Sequence, residues 1–181
     1  MKTVIATTLA LLLASPALAQ PPAGAPGRAG AAPGRAGQPA APPARRIDAA
    51  LAREAVEAAI AACAAQNIRL SGAVVDAAGN PIFVLVPDGS SARTGDIALR
   101  KAITVTVTGR PSRETTTLAA TDTALKARLD APGSRLITFQ GALPIMAGDT
   151  LVGAIAGSGG TGAQDEVCAQ AGLDKIKDRV R

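Results

Sequence analysis

The segment from residue 20 to residue 46 restricts where this chain can fold. Its sequence, QPPAGAPGRAGAAPGRAGQPAAPPARR, is dominated by proline, glycine and alanine, repeats the hexapeptide APGRAG, and has no large apolar side chain. Such a composition buries too little apolar surface to offset the entropy lost on ordering. We therefore predict an extended, disordered tether over 20–46 and one folded domain over 47–181.

The residues before the tether are typical of a secretory signal peptide. Lys2 gives a short positive region, 4–13 form an apolar core, and Ala17-Leu18-Ala19 is a small-residue cleavage site. The apolar run is far shorter than the roughly 20 residues that a bilayer-spanning helix needs. The sequence predicts a signal peptide over 1–19, a periplasmic or secreted protein, and no transmembrane span. An uncleaved anchor is the alternative.

The basic charge of the chain is confined to these first two segments. The formal net charge of +5 arises from Lys2 and the tether arginines, which leaves 47–181 formally neutral. Phe83 and Phe139 are the only aromatic residues, so the folded part offers a nucleic acid neither a basic face nor a set of stacking platforms. We therefore expect no nucleic-acid binding. The arginines serve either solubility or weak attraction to anionic envelope surfaces: Arg28, Arg35, Arg45 and Arg46.

The residue types that are missing, and the two cysteines, limit the chemistry further. Without His, Tyr or Trp, the chain cannot form a Ser-His-Asp or Cys-His catalytic unit, and a zinc site would lack its usual imidazole ligands. Cys63 and Cys168 are the only cysteines, and their spacing matches no metal pattern. In an exported chain a disulfide is the leading interpretation, with two buried free thiols as the alternative.

Hydrophobic periodicity predicts helices at both ends of the folded part. Asp48 can cap a helix that runs to about Gln66, because small apolar residues recur there at i, i+3, i+4 and i+7. A last helix is predicted from about Gly162 to Asp178. Between them, SGAVVDAAGNPIFVLVPDG predicts a β-hairpin, and RLITFQG, GALPIM and LVGAIAGSG predict three further strands.

The segment from 95 to 109 gives conflicting signals. ITVTVT alternates and is β-branched, which is typical of a strand, whereas IALRKAI before it favours a helix. We interpret the segment as a helix that Thr94 caps and Gly109 and Pro111 end, partly on the resemblance described below. The fold class is then α/β (α+β), with an antiparallel sheet of about five strands flanked by helices rather than alternating βαβ units.

The loop GSGGTG, 157–162, satisfies the G-x-G-x-x-G pattern of dinucleotide-binding folds. Those folds also need a second strand after the helix, with an acidic residue about 20 positions on. Asp178 has about that spacing, but the sequence ends at Arg181, so we do not expect nucleotide binding. Two interpretations stay open. The loop is either a tight strand-to-helix turn or an anion site in which backbone N–H groups at a helix N-terminus bind a carboxylate or phosphate.

A series of motifs spread over nearly all of 47–181 resembles the GlcG/HbpS-like family. This family is often described as haem-binding or haem-degrading and includes the C-terminal domain of PduO. Each motif alone is weak, but their order and spacing together are fairly specific. The motifs are Val75-Asp76-x-x-Gly79, Asp88-Gly89, Ile97-Ala98-x-x-Lys101-Ala102, Gly109-Arg110-Pro111, Gly141-x-x-Pro144-Ile145, Val152-Gly153-Ala154-Ile155-x-x-Ser158-Gly159-Gly160-Thr161, Gln164-Asp165-Glu166 and Ala171-Gly172-Leu173.

The resemblance implies a profilin-like fold in which the first and last helices pack together on one face of the sheet. It also implies a tendency to form homo-oligomers. If those helices are antiparallel, the end of the first meets the start of the last, where Cys63 and Cys168 lie. This supports the disulfide, which could stabilise the fold by roughly 2–4 kcal/mol.

The resemblance further implies a haem-related ligand, with one departure. Some members are thought to bind haem through histidine, and here neither His nor Tyr is available to ligate the iron. Met146 is the weak remaining candidate for a haem ligand, and its alternative role is packing at a strand end. Haem, if bound, would rest in an apolar groove with Arg or Lys meeting its propionates.

The charged residues after the second predicted strand are either a solvated helix start with local ion pairs or a carboxylate-binding cluster opposite the glycine loop. Lys101 matches a lysine that recurs in the family pattern. Arg100, Asp88 and Asp96 are close to it in sequence. The predicted ligand-binding residues are Arg93, Lys101, Gly159, Gly160 and Thr161.

These observations favour an exported binding module for haem or another small carboxylated molecule. The alternative is a small enzyme, either haem-degrading or redox-linked, or an isomerase acting on a small organic acid. Such an enzyme would need Lys101, Asp88 or Asp165 as its acid or base. The missing histidine favours the binding module over the enzyme, and a structural oligomer without a ligand is a third possibility.

Overall fold

The computed structural model describes residues 46–181. The predicted signal peptide and residues 20–45 of the predicted tether lie outside the described residues. In the described part the chain forms five α-helices, four β-strands and two short 3-10 helices at Ser112–Glu114 and Lys177–Arg179. In chain order the main elements are α1 (Ala49–Ala64), β1 (Ser71–Asp76), β2 (Pro81–Leu85), α2 (Ala92–Thr108), α3 (Thr115–Thr121), α4 (Thr123–Asp130), β3 (Ala142–Ala147), β4 (Thr150–Ser158) and α5 (Gly162–Ile176).

The four strands form one antiparallel sheet in the order β2-β1-β4-β3. The α+β class is confirmed, but the expected count of about five strands is wrong, because the predicted strand RLITFQG does not join the sheet. Side chains of α2 bind its backbone instead. Arg100 donates to the carbonyl of Ser134 at 3.2 Å, and the Ile137 N–H donates to Thr104 Oγ1 at 2.9 Å. The segment therefore runs along α2 as an extended connection.

The helical interpretation of ITVTVT is confirmed. Ser91, rather than Thr94, caps α2, and Gly109 ends it with a left-handed φ of 65°. The apolar residues of α2 pack on the small side chains of one sheet face, and this burial outweighs the β propensity of the valines and threonines. The residues of this packed layer include Ala73, Ala98, Ala102, Val105, Ala154 and Ala156.

Helices α1 and α5 pack together on the opposite face of the sheet, as the resemblance implies. Gly172 permits their close approach, because a Cβ there would lie 2.3 Å from the carbonyl oxygen of Ala55. Asp48 caps α1 by accepting from the Leu51 N–H at 2.8 Å. Cys63 and Cys168 form the expected disulfide with a Cα–Cα distance of 5.5 Å. No helix within 46–181 is long and apolar enough to cross a membrane.

Candidate functional site

A buried ion pair joins the two helical layers at one end of the sheet. The ammonium of Lys101, on α2, lies 2.7 Å from Oδ2 of Asp165, on α5, and each side chain is only 3% exposed. Lys101 Nζ also donates to the carbonyl oxygen of Gly157 at 2.9 Å. The other oxygen of Asp165, Oδ1, accepts from the Gly160 N–H at 2.8 Å. The carboxylate therefore connects the lysine to the glycine loop.

Two glycines create the opening through which this pair meets. Gly141 precedes β3 with a φ of +125°, and a Cβ there would lie 2.7 Å from Asp165 Cβ and 2.8 Å from Lys101 Nζ. A Cβ at Gly157 would lie 3.1 Å from the Asp165 carbonyl oxygen. The Gly157 N–H donates to the Gly141 carbonyl at 2.9 Å. Lys101 and Asp165 can meet here from opposite faces of the sheet because Gly141 has no Cβ between them. The missing Cβ of Gly157 lets the backbone of α5 approach β4 closely.

The environment of Lys101 changes its acidity. Burial lowers the pKa of Lys101 below the usual lysine value of 10.5, and the hydrogen bond and charge of Asp165 oppose part of that shift. A buried ion pair is weak evidence for stability, because desolvation costs about as much as the pairing returns. A pKa perturbed by burial and by a specific partner at a cavity wall is a feature of functional sites.

This pair lies in the wall of a cavity of about 440 Å³, a volume within the range of small-molecule sites. One part of the lining is apolar, and the rest offers hydroxyl, amide and backbone groups. A smaller cavity of about 200 Å³ near α3 and α4 has no buried charge in its lining. The larger cavity is lined by Ile97, Lys101, Thr138, Phe139, Gln140, Ser158, Gly160, Gly162 and Asp165.

Several polar groups of the cavity have no partner within residues 46–181. Ser158, the last residue of β4, is 5% exposed, and its hydroxyl makes no hydrogen bond in this part of the chain. The side chains of Thr138 and Gln140 are also unpaired there, and the Lys101 ammonium has a third N–H beyond the two bonds described above. These groups line the cavity, so a ligand there can use their free hydrogen-bonding capacity.

The glycine loop contributes its shape to the cavity, and the N–H groups of Gly160 and Thr161 in the loop are bonded to side chains of α5. The N–H of Thr161 donates to Gln164 Oε1 at 2.9 Å, and the N–H of Gln164 donates back to Thr161 Oγ1 at 3.3 Å. This capping box begins α5. A Cβ at Gly159 would lie 2.2 Å from the Arg69 carbonyl oxygen, so glycine is needed there for close packing.

The predicted site residues fall into two groups. Lys101 and Gly160 line the cavity, and Gly159 and Thr161 adjoin Gly160 in the loop. Arg93 is exposed in the first turn of α2, about 12 Å along the helix axis from Lys101 at 1.5 Å per residue. Met146 is exposed near the other end of β3, roughly 16 Å along the strand from Gly141. Neither Arg93 nor Met146 lines the cavity. Their roles stay predictions.

Six residues of the cavity wall were not among the predicted site residues: Ile97, Thr138, Phe139, Gln140, Ser158 and Gly162. Ser158 belongs to one of the family motifs, which was the available signal for it. Thr138, Phe139 and Gln140 lie in the segment that was predicted to be a strand, and Phe139 is 56% exposed. Their proximity to Lys101 depends on the route of this segment along α2, which local sequence patterns do not encode.

The fold and the site together define a small α+β domain in which a polar cavity at the end of the sheet is lined by a buried lysine–aspartate pair. The chain belongs to the HbpS-like family: residues 47–174 match the family described as "Haem degrading protein HbpS-like". The resemblance in the sequence motifs is thereby confirmed.

Three known proteins illustrate this relationship. An uncharacterized 15.0 kDa protein of Citrobacter freundii from the dhaT-dhaS intergenic region is 29% identical over 128 residues, covering 71% of this chain and 90% of the relative. A double mutant of HbpS from Streptomyces reticuli is 29% identical with a TM-score of 0.69, covering 80% of this chain and 97% of that one. The ORFY protein of Klebsiella pneumoniae is 27% identical with a TM-score of 0.67, covering 77% and 96%.

Proposed function

We propose that this protein is an exported binding module for a small molecule that carries a carboxylate, with haem as the candidate suggested by the family. The observation that carries the proposal is the cavity in which the Lys101 ammonium and the Ser158 hydroxyl both have unused hydrogen-bonding capacity. A carboxylate can accept from both groups. The apolar part of the ligand would contact Ile97 and Phe139.

The electrostatics of the cavity favour selective rather than very tight anion binding. Asp165 already neutralises Lys101, so the ligand meets hydrogen-bond donors more than net charge. Gly162 begins α5, and the positive end of the helix dipole adds attraction at this point of the lining. Hydrogen bonds to a charged group contribute about 1.5–3 kcal/mol each, so two or three of them would support binding in the micromolar to millimolar range.

The cavity fits the carboxylate end of haem but not its iron. Its lining offers no imidazole, phenolate, thiolate or thioether, and the two cysteines are joined to each other. Haem bound here would be held through a propionate and through apolar contact, without an axial ligand from the cavity. Met146 stays the candidate ligand for a haem placed near the exposed end of β3.

The alternative function is a small enzyme acting on an organic acid. One observation favours it: burial lowers the pKa of Lys101, and a carboxylate lies 2.7 Å from its ammonium. A lysine whose pKa is lowered gives up its proton more readily and can act as an acid or base toward a substrate. The enzyme would use the same cavity, so turnover assays should include the acids that bind.

Export and self-association are parts of the proposal that rest on other features. A buried disulfide is typical of proteins that fold in an oxidising compartment, as is the leader of the sequence. Phe139 and Val167 are 56% and 61% exposed, and a contact between copies would cover such apolar side chains. Mass measurement of the mature chain, expected to start at Gln20, and size-exclusion chromatography with light scattering test these two parts.

The binding proposal is tested by titrating the purified protein with haemin, followed by Soret absorbance, and with small monocarboxylates, followed by calorimetry. Ser158→Ala should weaken binding about tenfold, since one hydrogen bond to a charged group is lost. Ser90→Ala is the matched control, because Ser90 has a buried hydroxyl without a partner that does not line the cavity. Absence of saturable binding for haemin and for all acids would refute the proposal. Met146→Leu should shift the haemin spectrum only if its thioether ligates the iron.

A further inference from the structure

Lys101 differs from the other lysines of the described chain in its surroundings. Lys126, Lys175 and Lys177 are exposed and form surface ion pairs. The Lys101 amine is buried, borders a cavity, and has a carboxylate and a carbonyl oxygen as fixed neighbours. The nitrogen lies close against Gly141, because a Cβ at that position would be only 2.8 Å from it. A desolvated lysine in a pocket is the arrangement by which proteins activate an amine as a nucleophile.

We propose that the cavity takes a 2-oxo acid and that Lys101 condenses with its ketone or aldehyde carbon to form an imine. This inference rests on the proposed carboxylate-binding function and identifies the ligand class of the same site. The ligand carboxylate would accept from the hydroxyl of Ser158 and from the amide of Gln140, next to the start of α5 at Gly162. The adjacent carbonyl carbon would then face the Lys101 nitrogen, and a short side chain would lie against Phe139.

The reaction balances with the groups that are present. The ammonium gives one proton to Asp165, and the neutral amine attacks the carbonyl carbon to form the carbon–nitrogen bond of a carbinolamine. A second nitrogen-bound proton passes to the former carbonyl oxygen. The proton held by Asp165 then converts that hydroxyl to water, which leaves as the carbon–nitrogen double bond forms. The products are a protonated imine and one water, and no oxidant, reductant or metal is consumed.

The charge balance of the buried pair favours this outcome. The protonated imine carries the same single positive charge as the ammonium that now lies 2.7 Å from Asp165, so the carboxylate keeps a cationic partner. The cost of leaving a buried carboxylate unpaired is therefore avoided in the product. The Gly157 carbonyl loses the hydrogen bond that the ammonium donated, and water released into the open cavity can replace the donor.

The test is reductive trapping. The purified protein is incubated with pyruvate and cyanoborohydride, and the adduct is located by intact mass and by peptide mapping. We expect one added group per chain, at Lys101, formed at least tenfold faster than at the exposed lysines, which serve as an internal comparison. Lactate, which has a carboxylate but no ketone, should bind without an adduct and should slow trapping by competition. Acetone, which has a ketone but no carboxylate, should be trapped more slowly.

Two variants test whether the adduct forms at Lys101 and whether the cavity binds the carboxylate. Lys101→Arg keeps the positive charge and should abolish the single adduct, and Ser158→Ala should slow trapping while leaving the trapped residue unchanged. Should Lys101→Arg fail to fold, the map of the wild-type adduct still decides the question. Modification spread evenly over the surface lysines, or binding of pyruvate and lactate without any adduct at Lys101, overturns the imine and leaves the proposed function intact. Failure of pyruvate and lactate to bind at all, together with an absent adduct, refutes the 2-oxo acid as the ligand, and the titrations with haemin and the other acids then decide the proposed function.

Discussion

The buried pair of Lys101 and Asp165 allows a stability prediction. It distinguishes the cost of leaving one charge without its partner from the cost of burying the two side chains. In Lys101→Met the carboxylate of Asp165 stays in the interior without a counter-ion, because the pair is only 3% exposed. Removal of one partner from such a pair costs about 3–5 kcal/mol. In the double variant Lys101→Met/Asp165→Asn no charge remains, and the Asn oxygen can still accept from the Gly160 N–H. The double variant should recover most of the loss.

The assay is urea denaturation followed by circular dichroism. It is carried out at neutral pH without a reducing agent, so that the disulfide stays closed. With an m-value of about 2 kcal/mol per molar urea, Lys101→Met should lower the midpoint by about 2 M. The double variant should lie within about 0.5 M of the wild type, which corresponds to a coupling energy of at least 2 kcal/mol. Equal losses in the single and the double variant would refute the argument that an unpaired charge causes the cost.

The difference in the free energy of unfolding between the wild type and the double variant should also depend on pH. The direction of this dependence follows from the lowered pKa of Lys101. Between that lowered pKa and the usual value of 10.5, the unfolded chain holds a proton on this lysine that the folded chain has released. Stability therefore rises with pH in this interval. Below the lowered pKa both states are protonated, and the full cost of burying the ammonium is present. The free energy of unfolding of the wild type, relative to the double variant, should rise as the pH passes from the lowered pKa toward 10.5, and a flat difference would contradict the pKa shift.

Two further substitutions test the parts that hold the site. Reduction of the buried disulfide, or Cys63→Ala/Cys168→Ala, should lower stability by roughly 2–4 kcal/mol, because the bridge closes a loop over a sequence separation of 105; an unchanged melting temperature would show that the bridge is dispensable. Gly141→Ala should cost about 2–4 kcal/mol, from strain at φ +125° and from the Cβ contact at 2.7 Å with Asp165, and it should weaken ligand binding. Gly133→Ala is the control, because Gly133 also has a positive φ but open space around it.

The sequence was most informative where a local pattern has one dominant physical cause. The cap at Asp48, the left-handed stop at Gly109 and the turn-then-helix character of the glycine loop each follow from one or two neighbouring residues, and each is present in the structure. The helix over 92–108 needed the family resemblance, because the alternating valines and threonines favour a strand until the buried face of the sheet is known. The sequence therefore predicted which segments are helices or strands better than it predicted which of these elements pack against each other.

The site was less predictable, because its contacts are long-range. Lys101 and Asp165 are separated by 64 positions, and each was a candidate on its own without any indication that they form a pair. The missed fifth strand has the same origin: RLITFQG has the composition of a strand, but Arg100 and Thr104 bind its backbone first. That contact brings Thr138, Phe139 and Gln140 to the cavity, so one error about strand pairing concealed both the strand count and three of the nine lining residues.

The geometry also changes how the glycine loop is to be understood. The loop was a candidate anion site because helix N-termini attract negative charge, and the chain supplies an anion of its own, the Asp165 carboxylate, which accepts from the Gly160 N–H at 2.8 Å. The second oxygen of that carboxylate holds the Lys101 ammonium at 2.7 Å. A ligand carboxylate would therefore bind the Lys101 ammonium rather than the N–H groups of the loop. The loop acts indirectly, by holding Asp165, which in turn positions Lys101. Asp165→Asn should accordingly weaken ligand binding even though it removes a negative charge from the cavity wall, whereas simple charge repulsion would make it strengthen binding.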